Sequence, residues 1–266
     1  MSSKTYIVAW DEAKENVIDT CNQLRDNNLD FLIFDVCSEP LDIAGSIVAD
    51  KVRYYGHFYN ALLDFCYTEH DIFIFNAGDP RFNDFGGFTK KAENIFNESD
   101  VWAVAPNFTH DYFNGDMSKI VESNTTKDLY LSTQTNSIWV AMHRDLAIKM
   151  LDFLQWMLDS GKLDFTKMVS GWGLDYVFCS WSIYEGKKLY RDYSTVMVHP
   201  TSSSYSGGKD DMEIVVDSYY EYCVEQGLDV NKIKSIIKLI KSKAAVGRFL
   251  DLKISNIYVN KELLWD

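Results

Sequence analysis

The residues best placed to do chemistry sit at the end of one apolar run. Positions 72–80 read Ile-Phe-Ile-Phe-Asn-Ala-Gly-Asp-Pro. The first four show no polar alternation, which fits a short strand buried on both faces of an α/β sheet. In open α/β sheets, ligands sit at the carboxyl ends of the strands. Asp79, delivered there by a buried strand, is a candidate contact to a metal or substrate. The plainer alternative is that Asp79-Pro80 simply opens a turn.

A second pattern is basic. Lys234, Lys238 and Lys241 fall at i, i+4 and i+7, on one helix face, opposite Ile233, Ile236, Ile237 and Ile240. Such a face is either solvated or in contact with nucleic-acid phosphates. Between positions 230 and 253, seven basic residues stand against one acid, although the whole chain carries a net charge of −13. That overall charge argues against a simple polyanion binder. His57, His70, His110 and His143 show no metal-ligand spacing and read as structural or solvent-facing. The five cysteines are widely spaced and form no CxxC pair, so neither a zinc site nor a disulfide framework is expected.

The elements that must position these residues alternate along the chain. Strands are expected over 6–10, 31–36, 72–79, 101–105, 129–132, 137–142 and 195–198. Helices are expected over 12–25 (with Asp11 as N-cap), 56–67, 87–96, 144–158, 174–184, 210–226 and 230–245. The β-α-β-α-β-α-β order of the first half implies a mostly parallel sheet with right-handed crossovers. With 266 residues, 47% of them hydrophobic, the chain can bury a full core. No run approaches the ~18 apolar residues of a spanning helix. The N-terminus lacks the apolar core of a signal peptide, so a cytoplasmic protein is expected.

In this order the parts resemble a nucleotide-sugar glycosyltransferase of the GT-A fold. Three pieces carry the resemblance. The first is Tyr55-Gly56-His57-Phe58-Tyr59-Asn60-Ala61-Leu62 leading into the strand that ends at Asp79. The second is Gly171-Trp172-Gly173-Leu174-Asp175 at the start of a helix, and the third is His199-Pro200 after a late strand. The resemblance covers residues 1–205 as a GT-A-like domain, a Rossmann-like mixed sheet flanked by helices. Residues 206–266 are expected to form a helical C-terminal extension packed on it. One departure stands out: a standard Asp-x-Asp would place an acid at position 77, where this chain has Ala77.

The resemblance implies a site. Asp79 and His199 are expected to hold a divalent cation, Mn²⁺ or Mg²⁺, with Asn76 or Asp84 as further help. Oxygen ligands suit both ions, and imidazole suits Mn²⁺. Asp175 is expected to be the general base of an inverting transfer, and Trp172 and Gly173 are expected to meet the acceptor. The nucleotide-sugar donor, a UDP-sugar, is expected over the first two strands, near Trp10, Asp11 and Asp35, with Arg53, Tyr55, Asn60 and Asn76 close by. The Ser/Gly-rich stretch 201–208 reads as a loop that closes over the donor, or as a plain connector. The chain also looks like a large-phage protein. This implies double-stranded DNA carrying hydroxymethylated cytosine as acceptor, with Lys234, Lys238 and Lys241 on its backbone. A glycan or small-molecule acceptor is the competing enzyme reading. The missing acid at position 77 favours a third, a catalytically inactive sugar-nucleotide-binding module.

Overall fold

A computed structural model describes residues 1–50, 54–98, 100–108, 120–124, 129–135, 139–168, 171–198 and 208–241. The strands are β1 (Ser3–Ala9), β2 (Asp30–Asp35), β3 (Ser46–Val48), β4 (Ile72–Asn76), β5 (Arg81–Phe82), β6 (Val101–Phe108), β7 (Ile120–Asn124), β8 (Leu129–Ser132), β9 (Trp139–His143) and β10 (Lys188–Val198). The helices are α1 (Lys14–Asp26), α2 (Tyr54–Cys66), α3 (Phe85–Ile95), α4 (Arg144–Asp159), α5 (Leu174–Tyr184), α6 (Gly208–Glu225) and α7 (Val230–Lys241).

The strands join in one mixed sheet of order β3-β2-β1-β4-β9-β6-β10-β8-β7, with β5 paired to β10. β3, β2, β1 and β4 run parallel, as do β6 and β10. β9 lies antiparallel between β4 and β6. This is the mixed, mostly parallel sheet with flanking helices expected from the sequence.

Side chains alternate across each strand. Tyr6, Val8, Phe73, Phe75, Val140 and Met142 face a core shared with α2, α4, α5, α6 and α7. Ile7, Ala9, Ile72, Ile74 and Ala141 face a second core built on α1 and α3. Both faces of β4 are therefore buried, which explains its uninterrupted apolar run. Phe58 meets both Phe73 and Phe75 edge to face, with centroids 5.7 and 5.0 Å away, a preferred arrangement of ring quadrupoles. α1 buries Val17, Cys21 and Leu24, one face at i, i+4 and i+7. α5 is buried nearly all round and lies against α4, α6 and α7.

Several details depart from expectation. β4 ends at Asn76 rather than at 79, so Asp79 lies in the turn beyond the strand. β10 begins at Lys188, seven residues before the expected start, because Tyr190 to Asp192 complete a ladder with β8. β3, β5 and β7 are too short or too polar to stand out as patterns in the sequence. Asp11 does not cap α1: a 3-10 turn (Asp11–Ala13) precedes that helix, and no side chain caps either start.

β10 carries a bulge between Asp192 and Val196. Asp192, 0% exposed, holds it together. Its carboxylate accepts from Lys91 Nζ at 2.5 Å, from Ser194 N and Oγ at 3.1 and 2.7 Å, and from Thr195 Oγ1 at 2.8 Å. Beyond the bulge, Met197 and Val198 pair with Phe82 and Arg81 of β5. Bulges bend a strand and redirect its end; this one carries the end of β10 to the turn that bears Asp79. Asp192→Ala strips a buried carboxylate from four donors and is expected to destabilise the fold by about 3–5 kcal/mol, measured by denaturant unfolding against the parent.

Candidate active site at the carboxyl ends of the strands

The chain leaves β1 toward β2 and β3, then returns through α2 to β4 on the other side of β1. The strand order reverses between β1 and β4, and α1 and α2 cover opposite faces. A crevice opens at such a switch point. Here two hydrogen bonds tie its walls. Trp10 Nε1 donates to the Ala77 carbonyl at 2.7 Å, and Asn16 Nδ2 donates to the Asp79 carbonyl at 2.8 Å. Asn76 is buried, and its Oδ1 accepts from Gly78 N at 2.8 Å, closing an Asx-type turn. Gly78 has φ +90°, and a Cβ there would lie 1.8 Å from the Val8 carbonyl oxygen. Only glycine tolerates both conditions. Asp79 emerges from this turn half-buried.

The other donor-side candidates divide. Trp10 meets His57 edge to face at 5.4 Å. His57 is fully buried in that aromatic setting, so its structural reading fits. Asp11 is exposed and accepts from Ser38 N and Oγ at 3.0 and 2.9 Å. These bonds, the backbone one first, lower its pKa. Asp35 is buried and accepts from Cys37 N at 3.0 Å, Leu41 N at 2.5 Å and Ser46 Oγ at 3.4 Å. Both carboxylates thus hold the loop that follows β2. Tyr55 is buried and reaches away from the strands' first pair, donating its hydroxyl to the Trp172 carbonyl at 2.5 Å. Asn60 is exposed five residues further along α2. Arg53 lies outside the described residues. Asp84 caps α3, accepting from Gly87 N at 2.8 Å.

The second candidate segment is the turn before α5, packed on α2. Gly171 has φ +64°, and a Cβ there would fall 2.2 Å from the Tyr54 ring. Gly173 has φ +101°, and a Cβ there would meet Met212 and Val215 of α6 at 3.1 Å. Packed between α2 and α6, the turn presents Trp172 outward, 45% exposed. Asp175 follows in the first turn of α5, where the helix dipole favours an acid. Its Oδ2 accepts from Gln134 Nε2 at 2.5 Å. Burial pushes the Asp175 carboxyl above its ordinary range; the Gln134 bond and backbone N–H groups, Tyr176 foremost, oppose that rise. Gln134 follows β8 in a polar Thr-Gln-Thr stretch, and nothing in its sequence spacing marks it.

The lysine face is partly occupied. Lys234 Nζ lies 5.2 Å from the centre of the Tyr220 ring, and Lys241 Nζ 5.2 Å from that of Tyr176. Lys238 is exposed. Cation–π contacts of this kind contribute about 0.5–1 kcal/mol at exposed sites.

Among the described residues, no three His, Cys, Asp or Glu side chains converge as a metal cluster. Asp79 supplies one carboxylate, and Val198, paired with Arg81, brings the end of β10 beside its turn. His199, His110 and the stretch 201–207 lie outside the described residues. His70 sits between Ser2 Oγ and Asp30, and His143 Nδ1 accepts from Asp145 N at the start of α4. No helix among the described residues is long and apolar enough to cross a membrane.

No family model and no curated protein matches the sequence. Solved structures do match. One is GalNAc-T7 with UDP, GalNAc and Mn²⁺, at 13% identity and a TM-score of 0.57, covering 94% of this chain and 56% of that one. Another is S. aureus TarS 1–349 in complex with UDP-GlcNAc, at 11% identity and a TM-score of 0.54, covering 96% and 77%. Against a longer S. aureus TarS chain the values are 10% and 0.55, covering 90% and 43%. This chain therefore spans about half the length of GalNAc-T7 and less than half of the longer TarS. At these identities the likeness is one of fold, and that fold is the GT-A-like one expected from the sequence.

Tyr55→Phe tests the tie between α2 and the turn before α5. It leaves the Trp172 carbonyl without its donor and is expected to cost about 1–3 kcal/mol of stability, read from denaturant midpoints, with Trp172 fluorescence shifted toward that of a mobile indole.

Proposed function

We propose that this protein transfers a sugar from a UDP-sugar donor to an acceptor hydroxyl, with inversion. The observation that carries the reading is a pair of acids, each set just after a glycine with positive φ. Asp79 follows Gly78 at the switch point of the sheet, and Asp175 stands half-buried two residues after Gly173, near the exposed indole of Trp172. The solved structures of like fold, crystallised with UDP or UDP-GlcNAc, support the choice of donor.

Departure of a diphosphate builds negative charge that must be offset. Asp79 and His199 are the residues that would hold a divalent cation, Mn²⁺ or Mg²⁺, which supplies that offset. The hard oxygen of Asp79 suits either ion, and Mn²⁺ accompanies UDP in the GalNAc-T7 structure. Asp175 takes the proton of the acceptor hydroxyl as that oxygen attacks the anomeric carbon from the face opposite the leaving group. A carboxyl whose pKa is raised by burial is the stronger base for this task. Trp172 offers a flat apolar face for a sugar ring, and Gly173 lets the backbone approach it. Trp10 and Asn16 fix the turn that carries Asp79, while Asp11 and Asp35 shape the loop beside the donor.

The exposed Trp172 next to Asp175 favours a glycan or sugar-bearing small molecule as acceptor. Hydroxymethylcytosine DNA rests on the lysines of α7, and two of the three named lie over tyrosine rings. The experiment is transfer from a panel of nucleotide sugars, with Mn²⁺ or EDTA, with and without hydroxymethylcytosine DNA. Metal-dependent turnover indifferent to the DNA is expected; stimulation by it would move the acceptor to DNA. Asp175→Asn is expected to lower kcat by about 10²–10⁴-fold with UDP affinity unchanged by calorimetry. Asp79→Ala is expected to remove the Mn²⁺ dependence of UDP binding. Donor binding without turnover, for every donor, would identify the inactive module.

A further inference from the structure

We propose that Gln134 is a positioning residue for Asp175: it clamps one carboxylate oxygen so that the other is aimed at the acceptor hydroxyl. This rests on the reading of Asp175 as general base and adds a residue to it.

The geometry of the clamp is built rather than incidental. Gln134 Nε2 donates to Asp175 Oδ2 at 2.5 Å. The backbone of Gln134 is itself fixed on both sides. Its carbonyl accepts from Ser132 Oγ at 2.7 Å and from Arg191 Nη2 at 3.4 Å, and its N–H donates to Ser132 Oγ at 3.2 Å. The next residue, Thr135, donates its N–H to Cys179 Sγ at 3.3 Å. Cys179 lies one helical turn beyond Asp175 on α5. The segment bearing Gln134 is thus fastened to the same helix that carries the acid. Thr133 and Thr135 are fully buried. A side chain whose support is locked in this way holds its partner in one orientation.

An amide N–H can only donate, so its bond favours the ionised carboxylate over the neutral acid. Burial acts in the opposite sense. Other ionisable groups face this site. Tyr55 from α2 and Cys179 from α5 are both neutral, their protons held by burial first of all. Asp211 from α6 acts on Tyr55. Arg191 from β10 reaches Asp175 through Gln134. Lys241 of α7 sits over the neighbouring Tyr176 ring. Among these groups of the described residues, Gln134 is the one whose side chain bonds the carboxylate.

The test uses two variants of the full chain. Gln134→Glu keeps the shape and removes the donor; Gln134→Leu removes the donor without adding charge. Losing the donor disfavours the ionised form, so the Asp175 midpoint rises. Carbon-13 NMR titration of the Asp175 carboxyl is expected to show an upward move of about one pH unit in Gln134→Leu. A larger move is expected in Gln134→Glu, where two carboxyls share a proton. The acidic limb of the kcat/KM profile follows in the same direction, because the base must be ionised to act. An unchanged midpoint in both variants, with only thermal stability reduced, overturns the proposal and leaves Gln134 a packing residue. Full turnover in Asp175→Asn overturns the base assignment instead, and the positioning role with it, whatever the NMR shows.

Discussion

The close approach of the β4 turn to β1 is the constraint on which the rest of the site depends. Residue 78 lies against the Val8 carbonyl in a left-handed conformation, where a side chain would overlap the strand next door. With glycine there, Asn76 closes the turn, Trp10 binds the Ala77 carbonyl, and Asn16 binds that of Asp79. These bonds involve backbone groups at the switch point of the sheet, so the acid's place is set by main-chain geometry. A longer or looser turn would deliver the same carboxylate without a fixed address. Preorganisation of this kind is what makes a charged group effective toward charge that develops during reaction.

The segment that bears Trp172 and Asp175 is positioned by different means. Its turn, 171–173, is packed between Tyr54 and Tyr55 of α2 on one side and Met212 and Val215 of α6 on the other. α6 and α7 share a core with α4 and α5, so the last helices are part of what shapes the turn that bears Trp172. The same core includes Phe73 and Phe75 of β4, the strand that leads to Asp79. One aromatic cluster therefore underlies both acids. Interiors packed at crystal-like density transmit small changes in volume, so a cavity at Phe75 is felt on both walls.

Much of this was legible in the sequence where a local pattern has one physical cause. The uninterrupted run 72–75 betrays burial on two faces, the glycines at 171 and 173 betray a turn with positive φ, and 174–184 reads as a helix because its apolar residues have nowhere else to go. What was not legible depends on partners distant in the chain. The first half of β10 is polar at Arg191 and Asp192, and the ladders with β6 and β8, with the ion pair to Lys91, 101 positions away, make it a strand. Gln134 is unremarkable until the fold sets it 2.5 Å from an acid 41 residues later. Asp11 and Asp35 stand where a donor site was expected, yet their carboxylates bind the loop after β2, a role that no spacing reveals.

Position 77 is where fold and chemistry meet most sharply. Its side chain is buried and belongs to the core under α2, and its carbonyl is taken by Trp10. A carboxylate at that position, in this backbone, would enter a buried, largely apolar cluster and bear a desolvation cost. Alanine is therefore the residue the surroundings require, and the absence of an acid does not by itself mark a decayed site. Of the two positions 77 and 79, the second alone carries an acid, Asp79. β10, bent by its bulge, supplies that strand end: Val198 is paired with Arg81, two residues past Asp79. The bulge at Asp192 and the close packing at Ala77 both act on the same place, the junction of β5 with β10 just beyond the Asp79 turn.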